Sequence, residues 1–543
     1  MKTDRPLPRV DDCPAGTTSF AQMWDDTVRH HAARTFLVFR SSDGKVTSWT
    51  YRQFDTVIAQ TAAVLAQHGV GTGDPVHLAL RNSPGFIAVW LSAARLGAWI
   101  VPADPASSAD EIRRQFERTG PRLGICARDR AHFYRAGAVA STSVIELAED
   151  ESDVLPDGAL AAHAGVSACG KSDGRLAVMF TSGTTSAPKG VLVTQSNYVS
   201  AGELMARASN LQSAHRWFVT LPLFHANAQY YCFAPAIAVG ASVAMTSTFS
   251  ASRWVEQARS LSVTHASLFA APIRMILDRT PRSTTSLDLQ HVWFAQNLAA
   301  THYERFATLV GSRPRQLYGM TETIAVVSCD EDPPYRNDVL GTPVPGRHVK
   351  LRSVETGQEC AADEVGELMV HGKPGHDLFA GYFDDAAATA RAFVDSAGNT
   401  VWFATGDLMT RDEAGVLRFV GRVDDVIKVA GENVGLAEIE GRLTEVPGVH
   451  EAAVVARPDP VRDVVPVAFI VAADQDDPPL PAELDDWAAR NLVPPARPAE
   501  WHVVEKLPRT SAGKIHRAQL TAARQQADSA GAASSSSVSP VPD

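Results

Sequence analysis

Between Thr50 and Gly69 the apolar positions Phe54, Val57, Ile58 and Leu65 recur at helical spacing. Thr50 with Gln53 has the composition of a capping box and Gly69 stands where a helix can end, so a helix is predicted there. The apolar run between Asp74 and Arg81 reads as a strand, Phe86 to Leu96 as a helix and Trp99 to Pro102 as the next strand. The alternation continues to about residue 345. Alternating strands and helices imply βαβ units and a mainly parallel sheet covered on both faces, with ligands beyond the carboxyl ends of its strands. From Gly366 to Gly421 the pattern turns to β, with Glu413-Ala-Gly415 as a hairpin turn. After Gly421 a smaller unit begins, in which Leu436, Ile439, Leu443 and Val446 share one face of a helix over Leu436 to Val446, followed by a strand over Ala452 to Ala456. The last residues, 526–543, are rich in Ser, Ala and Pro and bury too little surface to order themselves.

Composition narrows the class without choosing a function. The 543 residues are 45% hydrophobic and 20% charged, those of a globular protein with ample surface for a large core. Charge is 50 Lys+Arg against 61 Asp+Glu, a balance of −11, and no basic run offers a footprint for a nucleic-acid backbone. No window approaches the roughly 20 apolar residues of a membrane span, and the start lacks the apolar stretch of a secretory signal. The six cysteines lack CxxC pairs and zinc spacing. Reduced thiols, a cytoplasmic location, and neither membrane nor nucleic acid as partner are the expectation.

One segment carries chemistry on its face. Met179-Phe-Thr-Ser-Gly-Thr-Thr-Ser-Ala-Pro-Lys-Gly-Val191 places Thr181, Ser182, Gly183, Thr184, Thr185 and Ser186 between an apolar strand and Lys189. Hydroxyl donors, a glycine that lets the backbone wrap an anion, and a point charge make a phosphate loop, distinct from the GK[ST] type. Alone, such a loop is more often an ordinary surface turn.

Four more motifs change that weighing: Tyr318-Gly-Met-Thr-Glu-Thr323, Ala404-Thr-Gly-Asp-Leu408, Gly421-Arg-Val-Asp-Asp-Val-Ile-Lys-Val-Ala-Gly-Glu-Asn-Val434 and Pro508-Arg-Thr-Ser-Ala-Gly-Lys514. With the phosphate loop they resemble the adenylate-forming superfamily of acyl-CoA synthetases, adenylation domains and luciferases, in order and over nearly the whole chain. Gly372-Lys-Pro-Gly375, Gly381-Tyr-Phe383 and Gly431-Glu-Asn-Val434 look most like the carnitine/crotonobetaine-type CoA ligases. The resemblance implies an α/β fold: a large N-terminal domain of αβ-layered, mainly parallel sheets with a β subdomain (residues 1–420), a hinge (421–425) at Asp424, and a small rotating α+β domain (426–525).

It further implies an AMP-forming ligase using ATP, Mg²⁺ and CoA. The phosphate loop would hold the β and γ phosphates, Tyr318 and Thr321 would border the nucleotide, and Glu322 would ligate Mg²⁺. Without the family, Thr321-Glu322-Thr323 would read as a helix cap. Asp407 would take the ribose hydroxyls beside Arg422, and Lys514 would neutralise charge in adenylation. For the transfer step Lys428 and Gly431 would enter instead. His225 would border the acyl pocket and gate the thiol tunnel, with Gly319 also in the pocket.

The chain departs from the family where most relatives carry glycines: Val292 to Ala300 contains Gln296 and Asn297. With Asn227 and Gln229 they predict a pocket with hydrogen-bonding groups, since an unpaired buried polar group costs about 1–3 kcal/mol. The expected substrate is a small or aromatic acid bearing polar groups rather than a long-chain lipid. Alternatives are a carrier protein or amine as acceptor, an inorganic acid such as nitrite, and a non-catalytic binding protein of the same fold.

Overall fold

The computed structural model describes residues 19–151, 171–181, 188–296, 298–331, 335–429, 432–509, 515, 517 and 519–522. The Ser/Thr loop 182–187, Asn297, Gly431, Lys514 and the C-terminal tail lie outside them. Contacts divide the chain into two compact units, one of residues 1–181, 188–349 and 369–404, the other of 182–187, 350–368 and 405–543. Residues 405–420 thus group with the C-terminal segment.

Local signals place the first elements. The helix Tyr51–Gln67 is capped by Thr50, whose hydroxyl accepts from the Gln53 N–H while the Gln53 side chain returns to the Thr50 N–H. The helix predicted from Phe86 begins earlier, at Pro84, because Ser83 caps it and proline is tolerated at the first helical position. It ends at Gly97, whose φ of 70° is the left-handed geometry that suits glycine.

In the first unit two sheets carry the architecture. The larger has nine strands, with Arg315–Tyr318, His291–Ala295, His265–Phe269, Arg216–Val219, Ser242–Thr246 and Thr35–Arg40 parallel in that order. The second has seven, with Arg175–Thr181, Trp99–Pro102, Pro75–Ala79, Leu123–Ala127 and Ser143–Leu147 parallel. Lys189–Thr194 folds back antiparallel on Arg175–Thr181, and Gly381–Tyr382 adds antiparallel beyond it. The strands Pro75–Ala79, Trp99–Pro102 and Leu123–Ala127 are buried at every residue, as expected where helices cover both faces. The apolar stretch from Tyr230 to Ala244 is the end of a π-helix, a short helix and the start of a strand, and no helix among the described residues is long and apolar enough to cross a membrane.

In the second unit, Val449–Asp459 and Asp463–Ala472 form a long antiparallel pair, joined by Val426–Val429, Glu432–Gly435 and the parallel strand Glu500–Val503. The strand predicted over Ala452–Ala456 is its centre. Its alternation is direct: Ala452 and Val454 enter one apolar cluster, Ala453 and Val455 the other. The helix Leu436–Leu443 stops short of the predicted Val446 because Pro447 disfavours helical geometry at the residue before it. Val446 still packs into the cluster with Leu436, Ile439 and Leu443. At the predicted hairpin turn, Gly415 has φ 85° and donates its N–H to the Asp412 carbonyl.

Three buried histidines make the fold acid-sensitive. His77 bridges the Tyr134 hydroxyl and the Gln115 side-chain oxygen, both at 2.8 Å, and burial pushes it down to about 4. Burial also pushes His265 to about 4, and holds the neighbouring His291 well below the usual imidazole value. Each is neutral in the fold and takes a proton near pH 6.5 once unfolded, so its contribution is full above that pH and is lost as the pH falls, toward about 4 for His77 and His265. Melting temperature is expected to drop from pH 7 to pH 5. The stability slope should be up to about 1.4 kcal/mol per pH unit for each histidine. Chemical denaturation at several pH values checks this, and His291→Phe should flatten the slope by one histidine's share.

Candidate functional site

The strands on either side of the phosphate-loop sequence, Arg175–Thr181 and Lys189–Thr194, pair antiparallel. Thr181, the last residue of the first strand, pairs in register with Lys189, the first of the second, and the Thr181 hydroxyl donates to the Lys189 carbonyl at 3.4 Å. The returning strand pairs with Gly381–Tyr382, with Tyr382 opposite Val191. That register brings the Lys189 ammonium 5.0 Å from the centre of the Tyr382 ring, a cation–π distance. The Tyr382 hydroxyl in turn donates to Glu322 Oε1 at 3.1 Å.

Glu322 lies just beyond the carboxyl end of the parallel strand Arg315–Tyr318, in the 3₁₀ turn Thr321–Thr323. Capping falls to Thr323, whose hydroxyl meets the Met320 N–H and C=O at 3.0 Å. The Glu322 carboxylate is therefore not the cap. It is 5% exposed, and its carbonyl accepts from the Phe379 N–H at 2.9 Å. Ile324 then takes φ 67°, a left-handed geometry costly for a β-branched residue. Tyr318 is buried, and its hydroxyl sits 3.8 Å from the Met320 sulfur. A side chain at Gly319 would collide with the Tyr231 hydroxyl, so glycine is required by close approach there.

His225 ends a turn after the strand Arg216–Val219 and packs its ring 4.4 Å from that of Phe224. Asn227 opens the π-helix Asn227–Phe233 and donates to the Ser267 hydroxyl at 3.0 Å. The amide of Gln229 is engaged inside the fold: it accepts from the Tyr198 hydroxyl at 2.5 Å and donates to the Leu223 carbonyl at 2.6 Å. Gln296 follows the strand His291–Ala295 with φ 76°, backbone geometry suited to glycine.

In the second unit, Asp407 and Arg422 are cross-strand partners, with Arg422 Nε 3.2 Å from Asp407 Oδ1. Asp407 is mostly buried, and its N–H donates to the Thr405 hydroxyl at 3.1 Å. Gly406, φ 74°, donates to Glu367 at 3.1 Å. Lys428 is exposed on the strand Val426–Val429, opposite Asn433 in register. Asp424 belongs to the 3₁₀ turn Val423–Asp425. Its neighbour Asp425 is buried and meets Arg517 at 3.4 Å, and Arg517 reaches Glu440 at 2.7 Å. Burial raises the Glu440 carboxyl, against the pull of Arg517.

The AMP-binding enzyme family model matches residues 24–383, and that of the AMP-binding enzyme C-terminal domain matches residues 438–514. The chain belongs to the AMP-binding enzyme family. It is an AMP-forming ligase of the acid–CoA ligase group. The crotonobetaine/carnitine–CoA ligase of Salmonella typhi is 29% identical over 525 residues, covering 93% of this chain and 99% of that protein. The o-succinylbenzoate CoA synthetase MenE of Bacillus subtilis, solved with the acyl-adenylate OSB-AMP, matches with a TM-score of 0.79 at 25% identity, over 92% of this chain and 97% of that one. ATP-bound MatB from Rhodopseudomonas palustris matches in fold with a TM-score of 0.81 at 22% identity, over 93% and 98% of the two chains. These relatives lend no support to a carrier-protein, amine or nitrite reaction, or to a non-catalytic role.

Two residues that hold these groups in place were not singled out from the sequence, Tyr382 against Glu322 and Arg517 between Asp425 and Glu440. Tyr382 stood inside Gly381-Tyr-Phe383, noticed only as a subgroup pattern, and Arg517 stands three residues after Lys514. Two outcomes follow from the geometry. Gln296→Gly should leave stability unchanged or raise it by up to about 1 kcal/mol, because relief of the left-handed backbone offsets glycine's entropy. Gln296→Val should cost about 1–2 kcal/mol, and urea denaturation compares the two. Arg517→Met should destabilise the C-terminal unit by about 3 kcal/mol, leaving Glu440 and Asp425 without their cation, and proteolysis of that unit reads it directly.

Proposed function

We propose that this enzyme adenylates a small or aromatic carboxylic acid bearing polar groups with ATP, then transfers the acyl group to CoA. The observation that carries this reading is the chain of Lys189, Tyr382 and Glu322, whose carboxylate lies beyond the carboxyl end of a parallel strand. A cation and a buried carboxylate that far apart, bridged by a phenol, suit a polyphosphate between them.

In the first step a carboxylate oxygen attacks the α-phosphorus, the bond to the β-phosphate oxygen breaks, and pyrophosphate leaves. Thr181, Ser182, Gly183, Thr184, Thr185 and Lys189 hold the departing phosphates, while Tyr318 and Thr321 border the nucleotide. Asp407, set by Arg422 and the Thr405 hydroxyl, accepts from the ribose hydroxyls. Lys514 neutralises charge on the α-phosphate. The buried Glu322 carboxylate supplies hard oxygens of the kind that suit Mg²⁺. Glu322 would hold it, and the ion supplies neutralisation of phosphate charge when bound. In the second step the CoA sulfur attacks the acyl carbon, AMP leaves, and the thiol proton is released. Lys428 and Gly431 serve that step, Asp424 is the turning point between the two, and His225 borders the acyl group.

Asn227, Gln296 and Asn297 supply the acid's polar contacts, with Gly319 beside them leaving the Tyr231 hydroxyl its place and Gln229 stiffening the π-helix from behind. Free, buried thiols at Cys126, Cys232, Cys329 and Cys360 and the use of ATP and CoA support a cytoplasmic location.

The test is acid-dependent formation of AMP and pyrophosphate by the purified enzyme, with products identified by mass in the presence and absence of CoA. Lys514→Ala should lower AMP formation by about 100-fold or more, and an acyl-CoA product is expected only with CoA present. AMP formation that leaves CoA untouched would sink the thioester step. Gln296→Gly with Asn297→Gly should widen the range of acids accepted, and an unchanged acid profile would remove both side chains from the pocket.

A further inference from the structure

A buried cation stands behind Glu322. Arg347 follows Gly346, is 5% exposed, and spends its guanidinium on main-chain carbonyls: Nη2 donates to Thr323 at 2.6 Å, Nε to Val326 at 3.1 Å and Nη1 to Asp377 at 2.8 Å. Burial lowers its affinity for a proton, and the nearby Asp377 carboxylate and Tyr231 hydroxyl offset part of that cost. The Asp377 carboxylate itself accepts from the Lys373 N–H. No other side chain has a planar fork of five donors that can reach three diverging carbonyls.

The choice of carbonyls is informative. Thr323 and Val326 enclose Ile324, the β-branched residue at φ 67° that directly follows the Glu322 turn. Asp377 belongs to the turn closed by the Lys373 carbonyl, and two residues on the Phe379 N–H bonds the Glu322 carbonyl at 2.9 Å. Three residues further Tyr382 reaches the Glu322 carboxylate at 3.1 Å. Both segments that touch Glu322, one through its main chain and one through its carboxylate, are therefore tied to the same guanidinium.

We propose that Arg347 is a positioning residue for Glu322, binding the strained turn at 323–326 to the turn at 377 so that the Glu322 carboxylate is held in place before nucleotide arrives. This rests on Glu322 acting as the Mg²⁺ ligand. Arg347 touches neither substrate nor metal; its effect passes through the backbone of the two turns. Groups that orient a metal ligand typically change metal affinity by about 10–100-fold, whereas Asn227 and Gln296, the polar groups proposed for the acid, follow other elements of the fold.

Two readouts separate positioning from general stability. In Arg347→Lys, which keeps the charge without the fork, half-saturating Mg²⁺ for acid-dependent AMP formation should rise about 10–100-fold. The KM for the acid should move by less than about threefold. Without catalysis, Mg²⁺ added to ATP should raise the melting temperature of the wild type and fail to do so at the same concentration in the variant. A folded Arg347→Lys enzyme with the wild-type Mg²⁺ dependence overturns the proposal. Absence of acid-dependent AMP in the wild type overturns the adenylation reading instead, so the two failures are distinct. Should the variant not fold, hydrogen exchange on the wild type decides: the amides of Ile324, Ala325, Val327 and Phe379 are expected to be protected without ligand. Protection that develops only on adding Mg²⁺ and ATP would assign the ordering to the nucleotide and overturn the role of Arg347.

Discussion

A carboxylate buried as deeply as Glu322 must be surrounded by donors or it neutralises itself, and the site is built around meeting that need. The Tyr382 hydroxyl meets one oxygen, and the Phe379 N–H fixes the peptide that carries the side chain. Both come from the short stretch 379–382, which the edge strand Gly381–Tyr382 pins against the hairpin bearing Lys189. One pairing register thus sets three things together: where the loop lysine stands, where the phenol stands, and how the carboxylate is held.

The surrounding fold gives that arrangement rigidity. The turn carrying Glu322 leaves the end of a parallel strand whose neighbours are buried, so its starting point is set by a packed sheet. Its geometry includes a β-branched residue with positive φ, a conformation that persists only where the surroundings over-determine it. Arg347 and the Thr323 cap provide that determination. Around the π-helix Asn227–Phe233 the same logic recurs: Gln229 fixes it from within, between Tyr198 and the Leu223 carbonyl.

The second unit solves a different problem. Its sheet is covered on both faces, so consecutive residues of Val449–Asp459 enter opposite apolar clusters. An ionic group, Asp425 with Arg517 and Glu440, ties the turn Val423–Asp425 to the helix Leu436–Leu443. Buried ionic groups add little net stability over apolar packing, but they penalise every arrangement that separates the partners. Such a group specifies the geometry at the root of the unit more than it strengthens it.

Order along the chain was legible wherever a signal is local. Thr50 with Gln53, the apolar spacing of Leu436 to Leu443 and the turn at Gly415 all act within a few residues, through hydrogen bonds and side-chain periodicity that the chain carries with it. The motifs around Glu322, Asp407 and Lys514 were likewise visible, because each is a contiguous stretch that resembles the family's pattern. Only tertiary structure decided which distant residues complete them. Tyr382 meets Glu322 across 60 positions and Arg347 meets Thr323 across 24, distances over which no periodicity acts. It also decided that Gln296 stands on left-handed backbone and that the Gln229 amide is turned to its own fold, since both follow from how strands and helices pack. Residue types tell what a group can donate or accept; the partner it finds is settled by the packing of the whole core.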